Sequence, residues 1–341
     1  MGRLERIPVI DQLRGLAALS VAWFHLTNWS GGWVAASGAW GWLGVEAFFV
    51  ISGFAIPYGL ARMQPTYSLR DFTSFMTRRL IRIEPPYIAS IALMVLLNVF
   101  AASSSMFQGV PPAYEPEQVA AHLLYLVPLT NFQWIQPVYW SLAWEFAFYL
   151  TIGLVFPFIG LSGHRWAARG VVITAIILVA VGAVSQLVVL FTMGFVVYRR
   201  LAMRDEISWT IALISASAAV MCGSKTWGNA VVGAATAMII LFHSALPLVR
   251  GRLGIALTGL GAISYSLYLV HIPIGSKIVN LGLRWVEWGP ARFALSLVAL
   301  VMSIMAAKIF WKMIERPSVL AARQLQKRGR IAETAAGPRH V

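Results

Sequence analysis

The sequence predicts an all-α, polytopic membrane protein of about ten transmembrane helices with both termini in the cytoplasm. Three observations carry that expectation. Hydrophobic residues make up 59% and charged residues 12% of the 341-residue chain, against about 45–50% and about 25% in a soluble domain. The mean hydropathy is +0.72, so there is too little charge to cover a water-facing surface. The basic residues alternate with the apolar segments so that almost all fall on one side. A soluble enzyme, a disordered protein and a collagen-like fibre are excluded.

The elements follow in order. Span 1 covers about 7–28; it carries Asp11, Arg14 and His25 and is too long for a cleaved leader, so it reads as retained. Span 2 covers about 42–60. The stretch SLRDFTSFMTRRLIRI over 68–83 is basic and amphipathic and reads as an interfacial helix. Pro85 and Pro86 then open span 3, to about residue 100, because proline suits a helix's first turn. A polar stretch over 102–118 follows, and 122–129 is too short to span. Spans 4 to 8 cover about 138–158, 168–181, 185–198, 209–222 and 228–242. Span 9 covers about 257–279, with Pro273 expected to kink it, and span 10 about 291–314. The expected division is one membrane unit over 1–322 and a disordered polar tail over 323–341.

The 27 basic and 13 acidic residues leave a net charge of +14. Nucleic acid is one reading of that excess. The positive-inside rule explains it better: Arg3, Arg6, Arg62, Arg70, Arg78, Arg79, Arg82, Arg165, Arg169, Arg199, Arg200, Arg204, Arg250 and Arg252 share one side in the ten-span scheme. The single cysteine, Cys222, excludes an internal disulfide and a cysteine-based metal cluster. No metal-ligand cluster, P-loop or dinucleotide-binding glycine motif occurs in the sequence.

Ionisable residues inside a span are costly and mark sites or polar cavities. Arg14 and His25 are eleven residues apart. At about 100° and 1.5 Å per residue they share one helix face, about 16 Å apart along the axis. Asp11 is placed for an i,i+3 pair with Arg14. Glu46 in span 2 and Glu145 in span 4 lie near the depth of His25, where a carboxylate orienting an imidazole makes a general base. The plainer alternatives are a snorkelling arginine, a structural histidine and inter-helix hydrogen bonds. Ser52-Gly53 reads first as small-residue packing, and His271, just before Pro273, first as a structural histidine. His122, His164 and His243 fall at span ends or loops. Arg78, Arg79 and Arg82 read equally as contacts to anionic headgroups and as a seat for a phosphorylated ligand. The tryptophans near the outer side, Trp140 among them, form an aromatic belt, of which a minority suit stacking on a sugar.

In order along the chain, the motifs resemble those of the acyltransferase family 3 membrane proteins, bacterial O-acyltransferases of surface glycans. The residues are Arg14-x10-His25, GVEAFFVISGF over 44–54, RLIR over 79–82, WSLAWE over 140–145, Phe191-x-x-Gly194-x-x-x-Tyr198, SYSLYLVH over 264–271 and Glu315-Arg316-Pro317. The resemblance implies acetyl-CoA as a donor substrate with no permanently bound cofactor. It implies a glycan or lipid-linked sugar hydroxyl as acceptor and a place in the bacterial inner membrane. His25 would be the general base, oriented by Glu145 or Glu46, with an acetyl-His25 intermediate as a variant. Arg14, Arg78, Arg79 and Arg82 would hold the donor, with Asp11, Ser52, Trp140, Tyr268 and His271 in support. Relatives that add a hydrolase-like domain differ from this chain, which resembles the stand-alone exopolysaccharide acetyltransferases. Two readings of other classes stay open: a glycan transporter or flippase with a His/Glu proton relay, and a structural subunit of an export complex.

Overall fold

The computed structural model describes residues 7–63, 66–104, 107, 111–245 and 249–335, the side chains of 63 and 326–335 excepted. Every regular element among them is helical. Helix α1 (Pro8–Thr27) opens with proline in its first turn, where the missing N–H leaves no bond unmade. A short α2 (Gly32–Gly38) and a tight turn at Gly41–Leu43 lead into α3 (Gly44–Met63). Then come α4 (Phe72–Ala102) and a short α5 (Pro116–Leu123). Five helices follow: α6 (Tyr139–Ile159), α7 (Arg165–Ala180), α8 (Leu187–Met203), α9 (Ile207–Gly223) and α10 (Trp227–Leu241). The chain closes with two interrupted rods. One is α11 (Gly251–Ala262), α12 (Ser264–Val270), a π-helical segment His271–Ser276 and α13 (Lys277–Gly282). The other is α14 (Gly289–Phe310), a π-helical segment Trp311–Glu315 and α15 (Arg316–Ala335).

Four stretches among the described residues are long and apolar enough to cross a bilayer: Gly32–Arg62, Leu69–Ala102, Tyr139–Ile159 and Gly289–Leu325. The pair Gly251–Ala262 and Ser264–Gly282, bent by 65°, makes a fifth, while α9 and α10 are apolar but shorter. Large apolar side chains point outward, among them Leu96, Phe100, Ile255 and Met313 at 66–76% exposure. In water such a surface would aggregate; against lipid tails it is solvated. The protein is a helical membrane protein.

Three expectations need correction. The 68–83 stretch is not a separate interfacial helix: α4 runs unbroken through Pro85 and Pro86 for 31 residues. Two prolines remove the intrahelical donors to the Ile81 and Arg82 carbonyls, and the Tyr265 hydroxyl donates to the next carbonyl, that of Ile83, at 3.0 Å. At about 46 Å, α4 exceeds the roughly 30 Å hydrocarbon core, so its arginine-rich first turns extend toward water. The kink of span 9 falls at residue 263, ten residues before Pro273, which is absorbed in the π-helical segment instead. The tail expected from residue 323 is helical to Ala335, so the expected boundary lies inside α15, whose early turns pack on α4. Arg3, Arg6 and residues 336–341 lie outside the described residues.

Helix α3 is central and packs on α1, α6, α8 and α10. Its most extensive contact is with α8. A Cβ at Gly53 would strike the Phe191 carbonyl oxygen, and one at Gly194 the Val50 carbonyl oxygen. Backbone meets backbone there, as small residues permit between membrane helices. Helix α1 is held the same way by α11, Gly15 lying on the Leu257 carbonyl and Gly261 on that of Asp11. Around these contacts Val50, Phe54, Leu190, Met193, Val197 and Tyr198 are fully buried.

Candidate active site

Between α1, α3, α4, α6 and α12 lies a cavity of about 270 Å³. Each wall contributes a polar group. Helix α1 supplies Arg14, whose Nε donates to Ser264 Oγ at 3.2 Å. Helix α4 supplies Arg79 and Arg82. The Arg79 guanidinium lies 5.4 Å from the Tyr149 ring centroid and 5.5 Å from that of Phe75, a cation over aromatic faces. Helix α6 supplies Ser141, Glu145 and Tyr149. Glu145 accepts from Ser52 Oγ at 3.2 Å and from the Tyr149 hydroxyl one turn on. Helix α12 supplies Ser264, Tyr265 and Tyr268, with the Tyr268 hydroxyl 2.6 Å from Ser141 Oγ. Glu315, in the second π-helical segment, also faces the cavity and accepts from the backbone N–H of Ser266 at 3.1 Å and from its hydroxyl. Three guanidinium groups and two carboxylates thus share one small space of mixed polar and apolar wall, which leaves one positive charge unmatched. Such a site suits an anion whose charge is carried by a narrow group.

The second feature is a histidine pair. The half-buried His25 near the end of α1 has its ring centroid 5.3 Å from that of His271, which is fully buried. His271 Nδ1 lies 2.9 Å from the Leu267 carbonyl oxygen, which can only accept, so Nδ1 carries the proton and Nε2 the lone pair. That Nε2 is buried and without a partner among the described residues. The Tyr268 and His271 rings are 6.0 Å apart. Helix α12 and the π-helical segment after it therefore connect the cavity, at Ser264 and Tyr268, to the histidine pair. Interruptions of this kind gather at functional sites because they re-aim side chains a regular helix would turn away.

The expected site residues divide accordingly. Arg14, Arg79, Arg82, Glu145, Ser52 and Tyr268 are brought together in the cavity. His25 and His271 meet outside its lining. Neither Glu46 nor Glu145 bonds to His25 among the described contacts. Glu145 is held by Ser52 and Tyr149, and Glu46 accepts from Asn229 Nδ2 at 2.7 Å. Counting turns sets height but not azimuth, and Glu46 faces α10. Arg78 does not line the cavity; its NH1 donates to Ser74 Oγ at 2.6 Å on the exposed side of α4. Trp140 packs edge-on against Phe49, which does line it, at 6.0 Å. Asp11 sits in the first turn of α1 against Gly261. Sequence reasoning quoted Glu315 and Tyr265 as motif residues without placing them in the cavity, and it missed Tyr149 there and Asn229 as the partner of Glu46. Glu315 had a signal, an acid at the end of a long apolar run, and Tyr149 stands at i+4 from Glu145.

A helical membrane protein with an arginine-lined cavity leading to a histidine pair defines a class that comparison with known proteins specifies. The family model described as an acyltransferase domain matches residues 7–309, and the chain belongs to that family. It is similar to the O-acetyltransferase OatA of Staphylococcus aureus (strain NCTC 8325 / PS 47), 25% identical over 91% of this chain and 57% of the relative. It is also similar to the peptidoglycan O-acetyltransferase OatA of Listeria monocytogenes serovar 1/2a, 33% identical over 28% of this chain and 14% of the relative. The chain thus spans a little over half, 57%, of the length of the S. aureus relative. No solved structure matches it.

Proposed function

We propose that the chain is a multi-pass O-acyltransferase of the bacterial inner membrane, with ten spans and both termini cytoplasmic. It transfers an acetyl group from cytosolic acetyl-CoA to a sugar hydroxyl of an extracytoplasmic or lipid-linked glycan. The observation that carries the reading is the continuity of α12 from the Arg14–Ser264 contact to the His25–His271 pair. One end offers positive charge to a phosphorylated donor and the other a base to a hydroxyl. A cavity of about 270 Å³ is at the small end of ligand sites, about 300–1,000 Å³. It admits the narrow thioester arm of the donor, not its nucleotide.

In this reading Arg79 and Arg82 hold phosphate oxygens in forked, charge-assisted bonds, and Arg14 marks the way inward. The thioester reaches His25. A sugar hydroxyl is a poor nucleophile at neutral pH, so His25 takes its proton as the oxygen attacks the thioester carbonyl. The carbon–sulfur bond then breaks, and the leaving thiolate recovers the proton from His25. His271, beside His25, replaces the carboxylates as the group that sets its position. Glu145 and Glu315 fix Ser52, Tyr149 and Ser266 around the donor path. The names of the relatives support an O-acetyl transfer.

The test uses purified protein in liposomes, with labelled acetyl-CoA on one side and glycan on the other. Alkali-labile acetyl ester should form on the glycan. His25→Ala should abolish it while acetyl-CoA affinity stays within about twofold. Normal transfer by His25→Ala would remove the base from the scheme. Glycan movement without ester would return the chain to the transporter reading.

A further inference from the structure

A second charged site lies away from the cavity, where α7 begins and α8 ends. A pocket of about 440 Å³ there is lined by Arg165, Arg169, Arg199, Arg204, Asp205 and Glu206. Arg199 is committed to the fold. It donates to both Asp205 oxygens at 3.0 and 2.9 Å, and to the Ile159 and Leu161 carbonyls at 3.0 and 2.8 Å. Glu206 is shared between Arg165 at 3.6 Å and Arg169 at 3.1 Å. Two positive charges of the lining stay unmatched.

Arg169 is the unusual member. It is only 5% exposed, with its guanidinium 4.7 Å from the Trp166 ring centroid and 4.6 Å from that of Trp209. Its Nε and NH1 have no hydrogen-bond partner among the described residues. The indoles cover the guanidinium's faces and NH2 donates to Glu206, while the Nε and NH1 donors on its edge are unpaired and themselves buried, just beneath the pocket's wall. Buried donors left that way are costly and call for an acceptor. The acceptor that matches a guanidinium edge and cancels surplus charge is an oxyanion such as phosphate.

The charged pocket is not isolated. A crevice of about 10 Å³, the size of a single water, adjoins it and touches Arg169, Arg199, Val172 and Phe195. Val172 and Phe195 also border a groove of about 700 Å³ between α6, α7 and α8. That groove is lined almost wholly by carbon, and on α6 it runs from Trp144 to Ile159. At 1.5 Å per residue this is about 22 Å, longer than the roughly 15 Å of one leaflet's hydrocarbon. Trp166 and Trp209, 64% and 38% exposed, stand beside the charged end, where amphipathic rings mark the headgroup level.

We infer that this face binds one anionic phospholipid, with its phosphate on Arg165, Arg169 and Arg204 and an acyl chain in the α6–α7–α8 groove. The inference is independent of the acyl-transfer chemistry and rests on the membrane placement alone. A zwitterionic lipid would bring its own cation to an already positive pocket, and a soluble phosphate would leave the groove unfilled. The complement of the whole surface is a negatively charged head on an apolar tail.

The experiment uses the full chain purified in detergent, with native mass spectrometry and thermal unfolding as readouts. The probes are phosphatidylglycerol, phosphatidylcholine and inorganic phosphate. Phosphatidylglycerol should be retained and raise Tm, with at least tenfold higher affinity than either other probe. Arg165→Gln with Arg204→Gln, both at exposed positions, should weaken phosphatidylglycerol binding at least tenfold. Val171→Trp, which fills the groove from its outer wall, should weaken it similarly without touching an arginine. Arg169→Lys tests the buried fork directly; if it fails to fold, the exposed variants still decide. Equal affinity for phosphatidylglycerol and phosphatidylcholine overturns the proposal. So does inorganic phosphate binding as tightly as the lipid, or unchanged lipid binding in both the arginine and groove variants.

Discussion

Arg78 and Arg79 are neighbours in the chain with different surroundings. Arg79 lies over the Tyr149 ring in the cavity, while Arg78 donates to Ser74 on the exposed side of α4. Helical periodicity could not separate them, since Arg82 is within about 60° of both. The structure therefore sharpens a prediction that composition left even between lipid and donor. A charge-assisted bond to a phosphate is worth about 1.5–3 kcal/mol, and each 1.4 kcal/mol is about tenfold. Arg82→Ala and Arg79→Ala should each weaken acetyl-CoA binding by roughly ten- to a hundredfold, with partial recovery in the lysine variants, which lack the fork. Arg78→Ala should change it by less than about twofold. Calorimetric titration at fixed salt reads all three, and equal losses at Arg78 and Arg82 would return the cluster to the lipid surface.

At the scale of elements, the Ser52-Gly53 pair shows why one motif held two readings. Ser52 turns to Glu145 in the cavity, and Gly53 presses on the α8 backbone. Gly53→Ala should force α3 and α8 apart, costing about 1–3 kcal/mol as overpacked sites do. A lowered Tm in detergent, with acetyl transfer lost in proportion because Ser52 and Phe49 ride on the same helix, is the expected pair of readings. Much of this architecture was legible. Hydropathy placed span 4 within a residue of α6 and span 10 within a few residues of α14. What it could not show depends on partners distant in sequence. Pro85 and Pro86 look like a helix start, yet α4 runs through them beside a contact from Tyr265, 182 positions away from Ile83. Pro273 looks like a kink until a π-helical segment absorbs it and the bend falls at residue 263. Glu46 looks like a partner for His25 until Asn229, on a helix far along the chain, takes it. Local pattern fixes which residues are costly to bury; tertiary azimuth decides which of them meet.

For the whole molecule, the proposed ten-span arrangement has a built-in reporter. Cys222 is the chain's one cysteine and lies exposed in the last turn of α9. That arrangement places it outside the cytoplasm. A membrane-impermeant maleimide should label it in intact spheroplasts. In a Cys222→Ser background, Arg204→Cys should label only after permeabilisation, and the reverse pattern would mean a miscounted span. The same alternation puts Arg165, Arg199 and Arg204 on the cytoplasmic side, the leaflet where anionic headgroups concentrate.

Helix α1 has a consequence of its own. Close backbone contact at Gly15 and Gly261 clamps it against α11, so the distance from Arg14 to His25 is fixed at about 16 Å by the helical rise alone. The helix is a ruler. Under the proposed chemistry, only a donor whose phosphates stand far from its acyl carbon can leave them on Arg79 and Arg82, pass its arm by Arg14 and still bring the acyl carbon to His25. Acetyl phosphate, in which a single oxygen bridges the acyl carbon and the phosphorus, is too short at any concentration. It should give no ester even where acetyl-CoA is turned over at full rate, and discrimination between activated acetyl donors would then be a matter of length, set by a rigid piece of the fold and by no contact with the acetyl group itself.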